Sequence, residues 1–342
     1  MNYFFLASFS AILWLTVTNG EDAFSWTTGA PVIDTSVWNE PDWVALKDPT
    51  IVFHDGAYHL FCTLRGDPSW RALAIAYTSF DDFGEAQSKK PVILPNHATT
   101  CAAPQVFFFE PHGKWYLICQ ASKPDPDGWK FQAAYGTTSD LTDPESWTDL
   151  KPMEAIKPEA ALNKPHDRWL DFWVIREGDT MHLFFTSDNG KMWREETTVD
   201  DFPYGWSEPE LAFEGEIFEG QHIYYLPKEK TYLAVIEENI REDRRYYQTY
   251  TAETLSGEWT PLAATLDRPF AAATGKGKNV AQPDGWWTDS VSHGELIRTG
   301  VNEFMEAEMG APFFFQGVLA KDRRGKGYGM IPWKLGVLQP AE

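Results

Sequence analysis

Residues 50–63 read TIVFH-DG-AYHLFCT, and this stretch decides the fold. Two runs of β-branched and aromatic residues flank Asp55-Gly56, a pair that tolerates the positive φ angles of a two-residue hairpin turn. The unit recurs. Residues 105–110 (QVFFFE) turn at His112-Gly113 into 114–120 (KWYLICQ), and 171–176 (DFWVIR) turn at Gly178-Asp179 into 181–187 (MHLFFTS). Residues 222–226 (HIYYL) turn at Lys228-Glu229 into 231–237 (TYLAVIE), and a looser fifth copy runs from 294–298 (GELIR) to 312–316 (PFFFQ). Further strand-like stretches follow at 73–78, 131–137 and 246–251. The units begin about 50–70 residues apart, a spacing suited to propeller blades with loops between their strands. A flat β-sandwich also has short alternating strands, but not five hairpins each introduced by a polar residue. The expected fold is therefore all-β, a single five-bladed β-propeller over residues 21–342.

Composition supports a large core and narrows the partners. Of 342 residues, 43% are hydrophobic and 15% aromatic, which excludes disorder for most of the chain. Fifty acidic residues face 29 basic ones, a net charge of −21. That field repels nucleic-acid phosphates and anionic membrane surfaces, but not a neutral substrate. Three cysteines (Cys62, Cys101, Cys119) allow one disulfide at most, and no Cys-x-x-Cys pair suggests zinc. Residues 4–17 (FFLASFSAILWLTV) are apolar, and small or polar residues follow at Thr18, Asn19 and Gly20. They read as a signal peptide over 1–20 and a secreted protein, although a basic n-region is missing. A membrane anchor is the alternative, but 14 apolar residues fall short of the roughly 20 that span a bilayer.

Polar residues at the blade entrances are the candidates for chemistry. The first strand of each blade lines the central channel, so its leading residues converge on one mouth. Those positions hold Asp48, Gln105, Asp171, Glu219 and His293. Any one such carboxylate could simply accept a turn N–H. Three together suggest acid–base work. Glycoside hydrolysis needs one carboxyl to protonate the leaving oxygen and another to activate water, and a third can raise the acid's pKa. Phe172, Trp173, Phe218, Trp286 and Trp287 lie close by in sequence and could supply sugar-stacking faces, though most tryptophans serve packing.

The residues also resemble a known family. Leu46-Lys47-Asp48-Pro49-Thr50, APQVFFF at 103–109, LDFWVI at 170–175 and HLFFTSDNGK at 182–191 match the pattern of the α-L-arabinofuranosidases of glycoside hydrolase family 62. So do FEGQHIY at 218–224, YLAVIE at 232–237, TLSGEWTPLAAT at 254–265, VSHGELIR at 291–298 and YGMIPWKL at 328–335. The resemblance runs from about Trp43 to the C-terminus. It implies a propeller that removes arabinofuranosyl branches from arabinoxylan or arabinan with inversion. By motif, Asp48 resembles the general base, Glu219 the general acid, and Asp171 the carboxylate that tunes the acid. Lys47, Gln105, Trp173 and Tyr328 are the candidate substrate ligands. His293 matches a channel histidine that approaches calcium in that family, or is a histidine hydrogen-bonded across the channel. A monomer is expected. Inversion needs room for a water, so the two carboxyl groups should stand about 6.5–9.5 Å apart.

Departures from the family pattern cluster around the mouth. They include Leu64-Arg65-Gly66 onward, WTDS at 287–290, NEFMEAEMGAP at 302–312, and Met330 where a glutamine is common. They bear on polymer specificity more than on chemistry. Family 43 glycosidases share the Asp, Asp, Glu order and would act on another glycan. A catalytically silent carbohydrate-binding propeller would have no need of an acid–base pair. SDNGKMW at 187–193 only loosely resembles a sialidase aspartate box, and it occurs once.

Overall fold

Asp55 and Gly56 both take positive φ angles (49° and 84°), so the turn follows the right-handed twist of the strands it joins. It connects Trp43–His54 to Ala57–Gly66 with His54 opposite Ala57, and Leu73–Phe80 and Val92–Ile93 complete the first blade. The computed structural model describes residues 24–67, 73–95, 100–123, 128–158, 169–187, 189–240 and 244–341. The expected signal peptide lies outside them.

The other hairpins build blades in the same way. The second blade runs Thr100–Phe109, Lys114–Lys123, Trp129–Thr138 and Lys151–Pro152, and the third Leu170–Glu177, Thr180–Thr186, Lys191–Thr198 and Glu210–Glu214. The fourth begins with Glu219–Leu226, Thr231–Ile240 and Arg244–Ala252. In the fifth, Ser292–Leu296, Phe313–Gly317 and Lys334–Pro340 are joined by Trp26–Thr27 from the other end of the chain. Trp26 pairs with Pro340 and Val280, and its indole N–H donates to the Phe270 carbonyl at 2.6 Å. Pairing the two ends of the chain within one sheet closes the ring of five blades. The fold is a five-bladed β-propeller. Between blades the contacts are aromatic, as where Phe107 and Phe109 of the second blade meet Phe202 of the third.

Every innermost strand loses register at the same point. The breaks fall between Lys47 and Thr50, Ala102 and Gln105, Leu170 and Trp173, Glu219 and His222, and Ser292 and Gly294. In the first four blades the residue entering the bulge is left-handed: Asp48 (φ 47°), Ala103 (49°), Asp171 (60°) and Gly220 (63°). Three of these are not glycine, and each such residue costs on the order of 1–3 kcal/mol. What holds them is a hydrogen bond from the bulge amide to the preceding blade. Asp48 N donates to Gln316 Oε1 (2.8 Å), Ala103 N to Thr63 Oγ1 (2.8 Å), Asp171 N to Gln120 Oε1 (3.0 Å) and His293 N to Glu237 Oε2 (2.7 Å). Each of those acceptors sits on its blade's second strand, directly opposite the last residue before that blade's own bulge. The fourth blade breaks the pattern. Gly220 N donates to Asp171 Oδ2 at 2.8 Å, and Thr186, which stands where the acceptor would be, has an Oγ1 with no partner among the described residues.

Candidate active site

The bulges turn side chains into one mouth of the channel, where a cavity of about 390 Å³ opens. That volume lies within the range of small-ligand sites, ~300–1,000 Å³. Asp48, Asp171, Glu219, Lys47 and His293 all line it, and all are largely buried. Arg65, Phe131, Lys157, Trp169 and Tyr328 are among the other residues of its wall. Three carboxylates from three blades thus face one space, the arrangement expected from the sequence.

Asp48 sits between two basic groups. Lys47 Nζ and His293 Nδ1 each lie 3.6 Å from Asp48 Oδ1. Burial works to raise the Asp48 pKa, but Lys47, His293 and a hydrogen bond from Thr63 outweigh it and hold the carboxyl below its ordinary value. It is ionised at neutral pH, as a base must be. Burial works against the Lys47 charge in turn, yet Asp48, Tyr328 and Glu219 keep that amine protonated, and its Nζ lies 3.2 Å from the Tyr328 hydroxyl. Burial also lowers the His293 pKa, against the pull of Asp48 and Glu219, which favours the neutral ring.

Glu219 has a different environment. Its Oε1 accepts from Arg245 Nη1 at 2.8 Å, and the same nitrogen donates to Glu237 Oε1 at 2.7 Å. The guanidinium lies over the rings of Phe218, Tyr328 and Trp333 at 5.0, 5.6 and 5.7 Å. Glu219 still reaches the cavity, so the ion pair orients the carboxyl without sealing it away. Asp171 is fixed by the Gly220 amide, and the Gln221 side chain donates to the Asp171 carbonyl.

Two expectations need correction. Gln105 and Trp173 do not line the cavity. Each lies just past its bulge, level with Thr50 and His222 rather than with Asp48, and so belongs to the layer beneath. Gln105 spends its amide on Val174, donating to the carbonyl and accepting from the N–H, both at 2.7 Å. Trp173 donates to the Ile223 carbonyl and stacks on His222 with centroids 4.1 Å apart. The residue equivalent to Asp48 in the second blade is Ala103. Phe172, Phe218, Trp286 and Trp287 are likewise absent from the cavity lining, where Phe131, Trp169 and Tyr328 supply the rings.

Calcium takes six to eight oxygen ligands. Around His293 the side chains offer its own imidazole, that of His222 with ring centroids 5.4 Å apart, and the Asp48 carboxylate, which Lys47 already engages. No group of three or more His, Cys, Asp or Glu among the described residues could hold a metal ion. The protein groups present do not by themselves fit a calcium site.

Arg245, Glu237, Gln120 and Gln316 escaped the sequence reading. For Glu237, Gln120 and Gln316 a signal was nonetheless present: the second run of those hairpins, like that of the first, ends on a polar residue, in Thr63, Gln120, Glu237 and Gln316.

The chain is similar to known proteins over most of its length. Residues 25–339 match the family described as Glycosyl hydrolase family 62. The chain is 34% identical over 323 residues to alpha-L-arabinofuranosidase C of Cellvibrio japonicus (strain Ueda107), covering 92% of this chain and 46% of that protein. It thus spans less than half the length of this relative. The solved catalytic domain of a Coprinopsis cinerea GH62 alpha-L-arabinofuranosidase shares 31% identity at a TM-score of 0.84, covering 93% of this chain and 98% of that one. A GH62 hydrolase crystallised with xylotriose shares 31% identity at a TM-score of 0.82, over 92% and 97% of the two chains.

Proposed function

The chain belongs to glycosyl hydrolase family 62 and is a glycoside hydrolase; we propose that it acts as an α-L-arabinofuranosidase, releasing arabinose branches from arabinoxylan, or from arabinan, by a single inverting displacement. The observation that carries this reading is that Asp48 and Glu219, from different blades, line one sugar-sized cavity in which Asp48 is ionised. With the arabinosyl ring between them, Asp48 takes a proton from water as the water attacks the anomeric carbon. Glu219 delivers its proton to the departing xylosyl oxygen on the opposite face, and the anomeric centre inverts. Asp171, held by the Gly220 amide, places a further carboxylate beside the acid and the sugar. Lys47 and Tyr328 are positioned to bind hydroxyl groups at the rim.

Xylan as the backbone is supported by the xylotriose complex of the family member described above. Secretion is supported by the apolar run at 4–17, and a monomer by the fact that one chain carries all three carboxylates. The test is a panel of arabinosylated polysaccharides with released sugars read by chromatography. Arabinose from arabinoxylan is the expected result. Release of another sugar, or binding without any release, would overturn the reading.

A further inference from the structure

Behind the acid stands a carboxylate that the displacement above does not use. Glu237 has a fully buried side chain opposite Glu219 on the adjacent strand, and Arg245 Nη1 bridges the two. We propose that Glu237 is a positioning residue for the acid: acting through Arg245, it sets the proton occupancy of Glu219. This rests on reading Glu219 as the proton donor.

The ring of inter-blade hydrogen bonds shows why a carboxylate here calls for explanation. Glu237 accepts the His293 amide, the role filled by Thr63, Gln120 and Gln316 in other blades. Neutral side chains suffice for that role. Among these second-strand acceptors only that of the fourth blade is ionisable, and an arginine bridges it to the candidate acid. Left with one carboxylate, the guanidinium would place its whole charge on Glu219 and keep it ionised, which defeats a proton donor. Two carboxylates around one buried cation leave one negative charge uncompensated, and low dielectric favours retaining one proton on the pair. Burial pushes Glu237 up to about 7, with Arg245 opposing and Glu219 adding to the rise.

Lys47 is a second cation that acts on Glu219 across the cavity, but it is paired with Asp48 at 3.6 Å. The remaining groups facing the pair do not compete for that proton. Ser292 Oγ donates to Glu237, and burial keeps the Tyr247 and Tyr328 hydroxyls protonated. His293, on the fifth blade, is shifted toward the neutral ring by burial.

The test is Glu237→Gln, which keeps the amide acceptor and removes the charge. The kcat/KM–pH profile is recorded on an arabinoxylan oligosaccharide and on 4-nitrophenyl α-L-arabinofuranoside, whose leaving group needs little protonation. The basic limb on the oligosaccharide should move down by about one pH unit, a roughly tenfold loss above it, with activity recovered at lower pH and KM little changed. The aryl substrate should be less affected. Arg245→Gln should move the same limb up, and provides the second reading if Glu237→Gln does not fold. A limb that stays in place in the folded variants overturns the proposal, whatever the absolute rate. Glu219→Gln is the separate control: if it loses as much activity on the aryl substrate as on the oligosaccharide, the acid assignment itself fails.

Discussion

Asp171 Oδ2 accepts the amide proton of Gly220, the residue that directly follows Glu219, at 2.8 Å. One carboxylate thereby does two things. It satisfies a buried bulge amide that in the other blades is served from a second strand, and it ties its own position to that of the acid. The Asp171 carboxylate is set relative to the backbone that carries Glu219, whose own carboxyl is oriented by Arg245. Thr186, standing where the usual acceptor would be, has a hydroxyl without a partner among the described residues.

Separating those two roles gives the first prediction. Asp171→Asn keeps an oxygen for the Gly220 amide and should leave thermal stability within about 1 kcal/mol of wild type, while kcat falls by ~10²-fold or more because the charge is gone. Asp171→Ala should add a stability loss of about 1–3 kcal/mol by stranding a buried N–H. Thermal melts beside single-turnover rates check both. Equal stability of the two variants would show that the hydrogen bond carries no load.

Lys47 provides a pH test of the base. Burial alone would raise the Asp48 pKa, and the Lys47 charge is the largest influence holding it down. Lys47→Gln should therefore raise that pKa and move the acidic limb of kcat/KM upward by about one unit, so that activity is lost first at low pH. An acidic limb that does not move would remove Asp48 from the titration that controls the rate.

A third prediction concerns stability away from the site. Glu195 is fully buried in the third blade, both of its carboxyl oxygens within reach of the Ile156 amide (3.1 and 3.0 Å), and burial pushes its pKa up to about 8. The folded state thus holds a proton that the unfolded chain releases near 4.5, so the contribution of this group is full below about 4.5 and is lost as pH rises toward 8. The linked loss amounts to up to roughly 4 kcal/mol. Relative to wild type, Glu195→Gln should remove a downward slope of melting temperature between pH 5 and 8. What remains is set by Glu237, whose raised value acts with the same sign up to about 7, against the buried His182, His222 and His293, whose lowered values act with the opposite sign below about 6.5. A variant melting with the wild-type slope contradicts the assignment.

The hairpins were legible because Asp-Gly turns and alternating aromatic runs are local signals. The fifth blade was read only from its inner pair, since Trp26 joins it from 308 residues or more before its outer strand partner Lys334–Pro340, and pairing over such separations leaves no local trace. The three carboxylates were found because each heads an apolar strand. Gln105 and Trp173 were misplaced by the bulges: one extra residue on the inner strand shifts which position faces the mouth, and nothing in APQ or LDFW announces that shift. Arg245 was missed because a buried arginine in a polar-looking strand shows its role only once Glu219 and Glu237 flank it.

The most direct test of the central claim is the anomeric configuration of the first product, followed by NMR as an α-L-arabinofuranoside is cleaved. Water activated by Asp48 on the face opposite Glu219 predicts that β-L-arabinofuranose appears first and then mutarotates. Initial appearance of the α-anomer would mean a covalent intermediate, and would contradict the roles given to both residues.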